Sequence, residues 1–402
     1  MFTMFAPKIK YGLEVKFGTT YGQEEIDAVA ACMRNNAPSC GQKVHEFEVA
    51  FAEHCGAAYA LAVTSATTGL TLAGVAAGVE PGDEVITTPI SWIATSTAFS
   101  VLGAKIVFCD VDPETLLLDP DKLEALITPK TKAIVPVHLY GRCCDLDRIL
   151  EIAHRHNVVV IDDCAHNPGG SYHGKGIGSI ADMSVFSFQQ QKNMSTLGEG
   201  GMVTTNSREL FDRVLSYRSL CARVYGKSDK YLSIDEEQNP MGKRYWWLTF
   251  DDVGYNFRMV DAQAAAGLVQ LKKLDANNAR RIALAKRLTE KLSDCANLIL
   301  PKPAVDSVCT WHIYMVMLTP DSPISKEDFM YELYNTYGIK AWSHYLPIHI
   351  QKPYIERGHT ADECPVAMEA FERYVTLPIQ PMLTEEAIDY MADSIKALLG
   401  TK

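Results

Sequence analysis

Residues 158–203 read VVVIDDCAHNPGGSYHGKGIGSIADMSVFSFQQQKNMSTLGEGGMV. Three runs in or bordering this stretch, VVVID at 158–162, MSVFSF at 183–188 and GMVTT at 201–205, are short and rich in β-branched or apolar residues. Strands covered by helices on both faces have that pattern, because neither face of the pleat meets water. Each run borders polar residues: Asp162-Asp163 after the first, Gln189-Gln190-Gln191-Lys192-Asn193 after the second, and Gly198-Glu199-Gly200-Gly201 leading into the third.

Toward the N-terminus the same kind of run recurs as ALAVT at 60–64, EVITT at 84–88, KIVFCDV at 105–111 and KAIVPVH at 132–138. Helical segments such as DPDKLEALI and DLDRILEIAHRH fill the gaps. This alternation predicts an α/β fold with a mixed, mostly parallel sheet of about seven strands. Toward the C-terminus, a polar and irregular stretch at roughly 225–250 precedes DAQAAAGLVQLKKLDANNARRIALAKRLTEKLSD, whose strong helix formers predict one long helix. A strand, CTWHIYMVML, and two helices, KEDFMYELYNTYG and EEAIDYMADSIKALL, then predict a smaller α/β unit. The expected division is a large domain over 20–275 and a small one over 276–402, with residues 1–19 packing on the latter.

The chain has 402 residues, 47% hydrophobic and 22% charged, enough apolar surface for a full core and too long for one simple domain. A net charge of -11 leaves no basic field for nucleic acid or anionic membranes. No run is long and apolar enough to span a bilayer or serve as a secretory leader, so a cytoplasmic location is expected. The 11 cysteines lack CxxC pairs or metal-ligand spacing, which argues for reduced thiols and no metal.

In open α/β sheets, ligands collect at the carboxyl ends of the strands. Thr64-Ser65-Ala66-Thr67-Thr68-Gly69 follows the first strand and opens a helix, where free N–H groups and hydroxyls can bind a phosphate; simple N-capping is the bland alternative. Asp162 and Asp163 must point in opposite directions, so one can face a cleft. There Asp163 could meet a protonated ring nitrogen, although alone it reads as a cap or a surface ion pair. Lys192 lies just past an apolar strand. Desolvation would make it a usable amine nucleophile, although a lone lysine is usually a solvated surface charge. Together, an anion-binding turn, a carboxylate and a lysine at successive strand ends are what an aldehyde cofactor with a phosphate arm and a ring nitrogen requires.

The segments GDEVITTPISWIATSTA, VPVHLYGRCCDLDRI, the 158–203 stretch, VGYNFRMVDAQAAAGLVQLKKLD, HYLPIHIQKPY and VTLPIQPMLTEEAI resemble, nearly end to end, the DegT/DnrJ/EryC1/StrS family of fold-type I (aspartate aminotransferase-like) enzymes. These depend on pyridoxal 5'-phosphate (PLP), and most are aminotransferases acting on keto-sugars. The resemblance makes Lys192 the residue that carries PLP as a Schiff base and Asp163 the partner of its ring nitrogen. It places Trp92 on the cofactor ring and His166 near the phenolic oxygen. The phosphate falls to the backbone of Ala66 and Thr67, the hydroxyl of Ser187, and Asn256 from a neighbouring subunit, which implies a homodimer with shared sites. Three features depart from the family: Ala66 in place of Gly, Gln189 in place of His, and a longer, more aromatic 225–250 loop expected to shape specificity.

The expected reaction moves an amino group from glutamate or glutamine to a nucleotide-linked keto-sugar or a cyclitol ketone. A PLP-dependent sugar dehydratase is the nearest rival, but such relatives carry His where this chain has Lys192. Amino-acid decarboxylation and a non-catalytic relative are further alternatives. A nicotinamide oxidoreductase is more distant: GKGIGS at 174–179 is glycine-rich, but it does not lie between the first strand and its helix.

Overall fold

The computed structural model describes residues 18–35, 39–228, 230–240, 242–244 and 246–401. The expected packing of residues 1–19 thus falls, up to residue 17, outside the described residues. Seven strands form the main sheet: β1 (Tyr59–Val63), β2 (Glu84–Thr87), β3 (Lys105–Phe108), β4 (Thr131–Val135), β5 (Val159–Asp163), β6 (Met183–Ser187) and β7 (Gly201–Thr205). Their order is β1-β7-β6-β5-β4-β2-β3, parallel from β6 to β3, with β7 antiparallel to both of its neighbours. This is the mixed, mostly parallel α/β sheet that the apolar runs predict. β6 and β7 are buried along their whole length, and β2 likewise, as double coverage demands.

Helices α1 (Gln23–Arg34), α2 (Gln42–Cys55), α3 (Ala66–Ala76) and α4 (Ala94–Ser100) flank the sheet and its connections. α2 fixes the end of β6: Phe51 meets Phe186 at 4.9 Å and Phe188 at 5.3 Å, and Phe47 meets Phe188 at 5.4 Å between ring centroids. Burying each ring is worth about 1.5–3 kcal/mol, so the strand preceding Lys192 is anchored on its apolar side. A buried ion pair ties α2 to the helix after β7, with Arg218 Nη1 2.5 Å from Glu48 Oε1.

The 225–250 region is not simply irregular. β8 (Ala222–Tyr225) pairs parallel with β9 (Leu232–Ile234) and antiparallel with β10 (Leu248–Phe250). Strands of three or four residues separated by long polar connections leave almost no periodic signal, which is why the sequence reads as loop. The predicted long helix is α5 (Asp261–Leu292), 32 residues and about 48 Å long at 1.5 Å per residue. Its first half packs on α1 and α2. Its last turns, through Leu284, Ala285, Leu288 and Leu292, join a second core with the strands Tyr314–Leu318 and Tyr374–Leu377 and the helix Glu385–Leu398.

Candidate active site

The sheet register brings distant residues to one edge. Gly201 at the start of β7 is opposite both Val63, the last residue of β1, and Ser187, the last of β6. Asp163 ends β5, which lies next to β6. A cavity of about 430 Å³ opens there, lined by Ala66, Thr67, Trp92, Asp163, His166, Ser187 and Lys192, seven of the eight expected site residues. Asn256 is the eighth. It is exposed, bridges to Ser219 and does not line this chain's cavity.

Lys192 is half-buried at the tip of the 188–200 connection. Loss of hydration brings its ammonium down to about 8, against the opposing pull of the Asp163 and Glu199 carboxylates. The neutral amine is therefore far more populated than on an exposed lysine. Gly18 lies against the same connection, its N–H donating to Gln190 O at 3.1 Å; a Cβ there would come within 2.0 Å of Lys192 O.

Asp163 accepts from Thr95 Oγ1 at 2.7 Å and from the Ala165 N–H at 3.1 Å. Burial pushes its pKa up, while Thr95, Ala165, Lys192 and His138 pull the other way. Its neighbour Asp162 turns away, with Oδ2 3.2 Å from His138 Nε2. His166 Nδ1 accepts the Tyr140 N–H at 3.2 Å, so the imidazole proton sits on Nε2, 3.3 Å from the Tyr345 hydroxyl. Burial, then Lys192, holds the His166 pKa well below its usual value, so the ring is neutral. Trp92, 61% exposed, stands at the mouth with its ring 5.9 Å from that of Tyr345.

On the other side of the cavity, Ser65 caps α3 by accepting the Thr68 N–H at 3.2 Å. Among the described residues, no protein acceptor takes the N–H of Ala66 or Thr67. Ser187 Oγ accepts the Gln189 N–H at 3.3 Å, leaving its own proton to donate. Gly201 lets β7 pass close beneath: a Cβ there would come within 2.7 Å of Ser65 C and 2.8 Å of Ala66 N. Free donors at a helix N-terminus form an anion site.

The model of the DegT/DnrJ/EryC1/StrS aminotransferase family matches residues 19–396. The chain belongs to this family. This DegT/DnrJ/EryC1/StrS aminotransferase is 37% identical over 383 residues to the spore coat polysaccharide biosynthesis protein SpsC of Bacillus subtilis, which covers 94% of this chain and 95% of that protein. It is 38% identical over 378 residues to GDP-perosamine synthase of Caulobacter vibrioides, covering 93% and 95% respectively. A Streptococcus pneumoniae protein, Spr1654, provisionally described as a sugar aminotransferase and solved in a PLP form, superposes with a TM-score of 0.86 at 26% identity, over 96% of this chain and 98% of that one.

Several lining residues of this aminotransferase were not singled out in its sequence: Ser91, Thr95, Glu199, His312, Trp342, His344 and Tyr345. Thr95 lies in a segment crowded with hydroxyls, and Glu199 reads as part of a glycine turn. His312 stacks on His166 at 4.4 Å, and burial brings His344 down to about 4. These two, with Trp342 and Tyr345, come from beyond α5, so only the return of the chain brings them in. GKGIGS takes no part in the cavity; the strand pair Ser171–Tyr172 and Lys175–Gly176 runs through and just before it.

Proposed function

We propose that this chain binds PLP in the cavity and moves an amino group from glutamate or glutamine to a keto-sugar, nucleotide-linked in the first instance. The observation that carries the reading is convergence: an amine near neutrality (Lys192), a buried carboxylate (Asp163) and unused N–H donors (Ala66, Thr67) border one cavity. That donor set fits the cofactor. Lys192 would hold its aldehyde carbon, Asp163 its ring nitrogen, and Ala66, Thr67 and Ser187 its phosphate, with Trp92 on the ring face and His166 donating from Nε2 to the phenolic oxygen. When bound, PLP supplies an aldehyde that takes the amino group and a pyridinium ring that withdraws electrons.

The protein's own part is proton management. Lys192 Nζ, whose ammonium burial brings down to about 8, would act as a base able to take a proton from one carbon and return it to another. Asp163, whose ionised form is favoured by the hydrogen bonds from Thr95 and Ala165 against the effect of burial, would favour a protonated ring nitrogen. His166, neutral and fixed in one tautomer, donates without itself changing charge.

The acceptor class is supported by the 38% identity to GDP-perosamine synthase. We also read the protein as a cytoplasmic homodimer whose large domain covers 20–275 and whose small domain covers 276–402. The exposed Asn256 and the exposed Trp246, Trp247 and Phe250 that shortly precede it in the chain support a second copy. No described helix is long and apolar enough to cross a membrane.

The test is a half-reaction. PLP-loaded protein is mixed with glutamate, glutamine or alanine while the visible cofactor absorbance is followed, and the bleached form is then offered nucleotide-linked 4-keto-sugars and free cyclitol ketones. Bleaching by glutamate or glutamine and recovery with the nucleotide-linked ketone are expected. Recovery only with the cyclitol ketone would reassign the acceptor, and release of carbon dioxide without amino transfer would reject the reaction.

A further inference from the structure

Two buried hydroxyls form a chain that ends on Asp163. Thr95 Oγ1 is 2.7 Å from Asp163 Oδ2, and Ser91 Oγ is 2.7 Å from Thr95 Oγ1. Ser91 is 2%, Thr95 1% and Asp163 5% exposed, so bulk water does not compete for these bonds. An ionised carboxylate only accepts, so Thr95 commits its single proton to Asp163; Ser91 must then donate to Thr95. Both hydroxyl dipoles therefore point the same way, toward the carboxylate, and each polarises the next in a low-dielectric setting. The second oxygen, Oδ1, has the Ala165 N–H. Asp163 is thus a carboxylate held by donors on both oxygens.

We propose that Thr95 and Ser91 are positioning residues that lower the basicity of Asp163, so that the proton between Asp163 and the cofactor's ring nitrogen stays on the nitrogen; this rests on Asp163 being that nitrogen's partner. No atom is gained or lost. The proton lies either on nitrogen, giving pyridinium and carboxylate, or on oxygen, giving pyridine and carboxylic acid. Each hydrogen bond donated to the carboxylate favours the first state. Burial, the largest influence on Asp163, favours the second, and the Thr95 hydroxyl is the foremost of the groups that oppose it.

Three variants test this: Thr95→Val, which replaces the hydroxyl by a methyl of similar volume, Thr95→Ser, which keeps the donor, and Ser91→Ala, which removes the second hydroxyl. Each is loaded with PLP carrying nitrogen-15 in the ring, loading at Lys192 is checked by borohydride trapping and mass spectrometry, and the ring nitrogen is observed by NMR. The wild type should give the pyridinium shift. In Thr95→Val the pyridinium-to-pyridine ratio should fall roughly 10- to 100-fold, the range that a hydrogen bond to a charged group commands. Ser91→Ala should move in the same direction by less, and Thr95→Ser should match the wild type. A folded, loaded Thr95→Val that keeps the wild-type shift overturns the proposal, as does a Thr95→Ser that behaves like Thr95→Val. If Thr95→Val does not load, an unchanged shift in Ser91→Ala overturns the two-hydroxyl chain. A wild type that traps no cofactor on Lys192 refutes the functional reading itself, and the proposal with it.

Discussion

In the cofactor-free protein, Lys192 should be the most reactive lysine at neutral pH. Its ammonium is brought from 10.5 down to about 8 by burial, with Asp163 and Glu199 resisting the fall. At pH 7 this raises the neutral-amine fraction from about 0.03% to about 9%, roughly 300-fold, by the relation between pKa and population. The assay is brief labelling with a limiting amine-reactive reagent between about pH 6 and about pH 10, with peptide-resolved mass spectrometry giving a rate for every lysine. Lys192 should reach half its maximal neutral fraction near 8, while exposed lysines are still climbing at the upper end. Asp163→Asn adds the sign. The carboxylate favours the ammonium, so its loss should lower the midpoint further, and Glu199→Gln should shift it the same way. A wild-type midpoint near the ordinary lysine value, or an upward shift in Asp163→Asn, would refute the claim that burial sets this amine and that the two carboxylates oppose it.

Gly201→Ala should push β7 away from the start of α3, costing about 1–3 kcal/mol by overpacking and weakening cofactor affinity, read by melting and by equilibrium titration. Trp92 is largely exposed, so Trp92→Ala should leave unfolding within about 0.5 kcal/mol of wild type. It should nevertheless lower cofactor affinity by about 1 kcal/mol through lost stacking, seen in the same titration. Glu48→Ala strands Arg218, whose side chain is fully buried with Nε and Nη2 already lacking partners, and should cost about 3–5 kcal/mol in denaturant unfolding. Mixing inactive Lys192→Ala and Asn256→Ala subunits should restore about a quarter of wild-type activity if each two-fold dimer shares its sites, since half the dimers are mixed and each holds one intact site. No recovery after subunit exchange would argue against the shared site.

The sheet was legible because several of its strands are apolar almost throughout, and Asp163 and Lys192 were legible because they stand where or just after such runs stop. Their partners were not. The bond from Thr95 to Asp163 joins residues 68 apart, and nothing in a run of serines and threonines marks which hydroxyl will face a carboxylate. His312, His344 and Tyr345 reach the cavity only after the 32-residue α5 carries the chain back. The β8–β10 sheet hid for a different reason: its strands are too short to display a period, and β8 pairs with β9 in parallel across a turn rich in charged residues. Asn256 is a separate case, because its expected role needs a second copy of the chain.

Every role proposed for the cavity turns on the assignment of the cofactor to the Lys192 amine. Borohydride reduction of PLP-loaded protein, followed by peptide mass spectrometry, should find the pyridoxyl group on Lys192 alone, and Lys192→Ala should carry none. A pyridoxyl group on any other lysine of the wild type, or on no lysine, would contradict it.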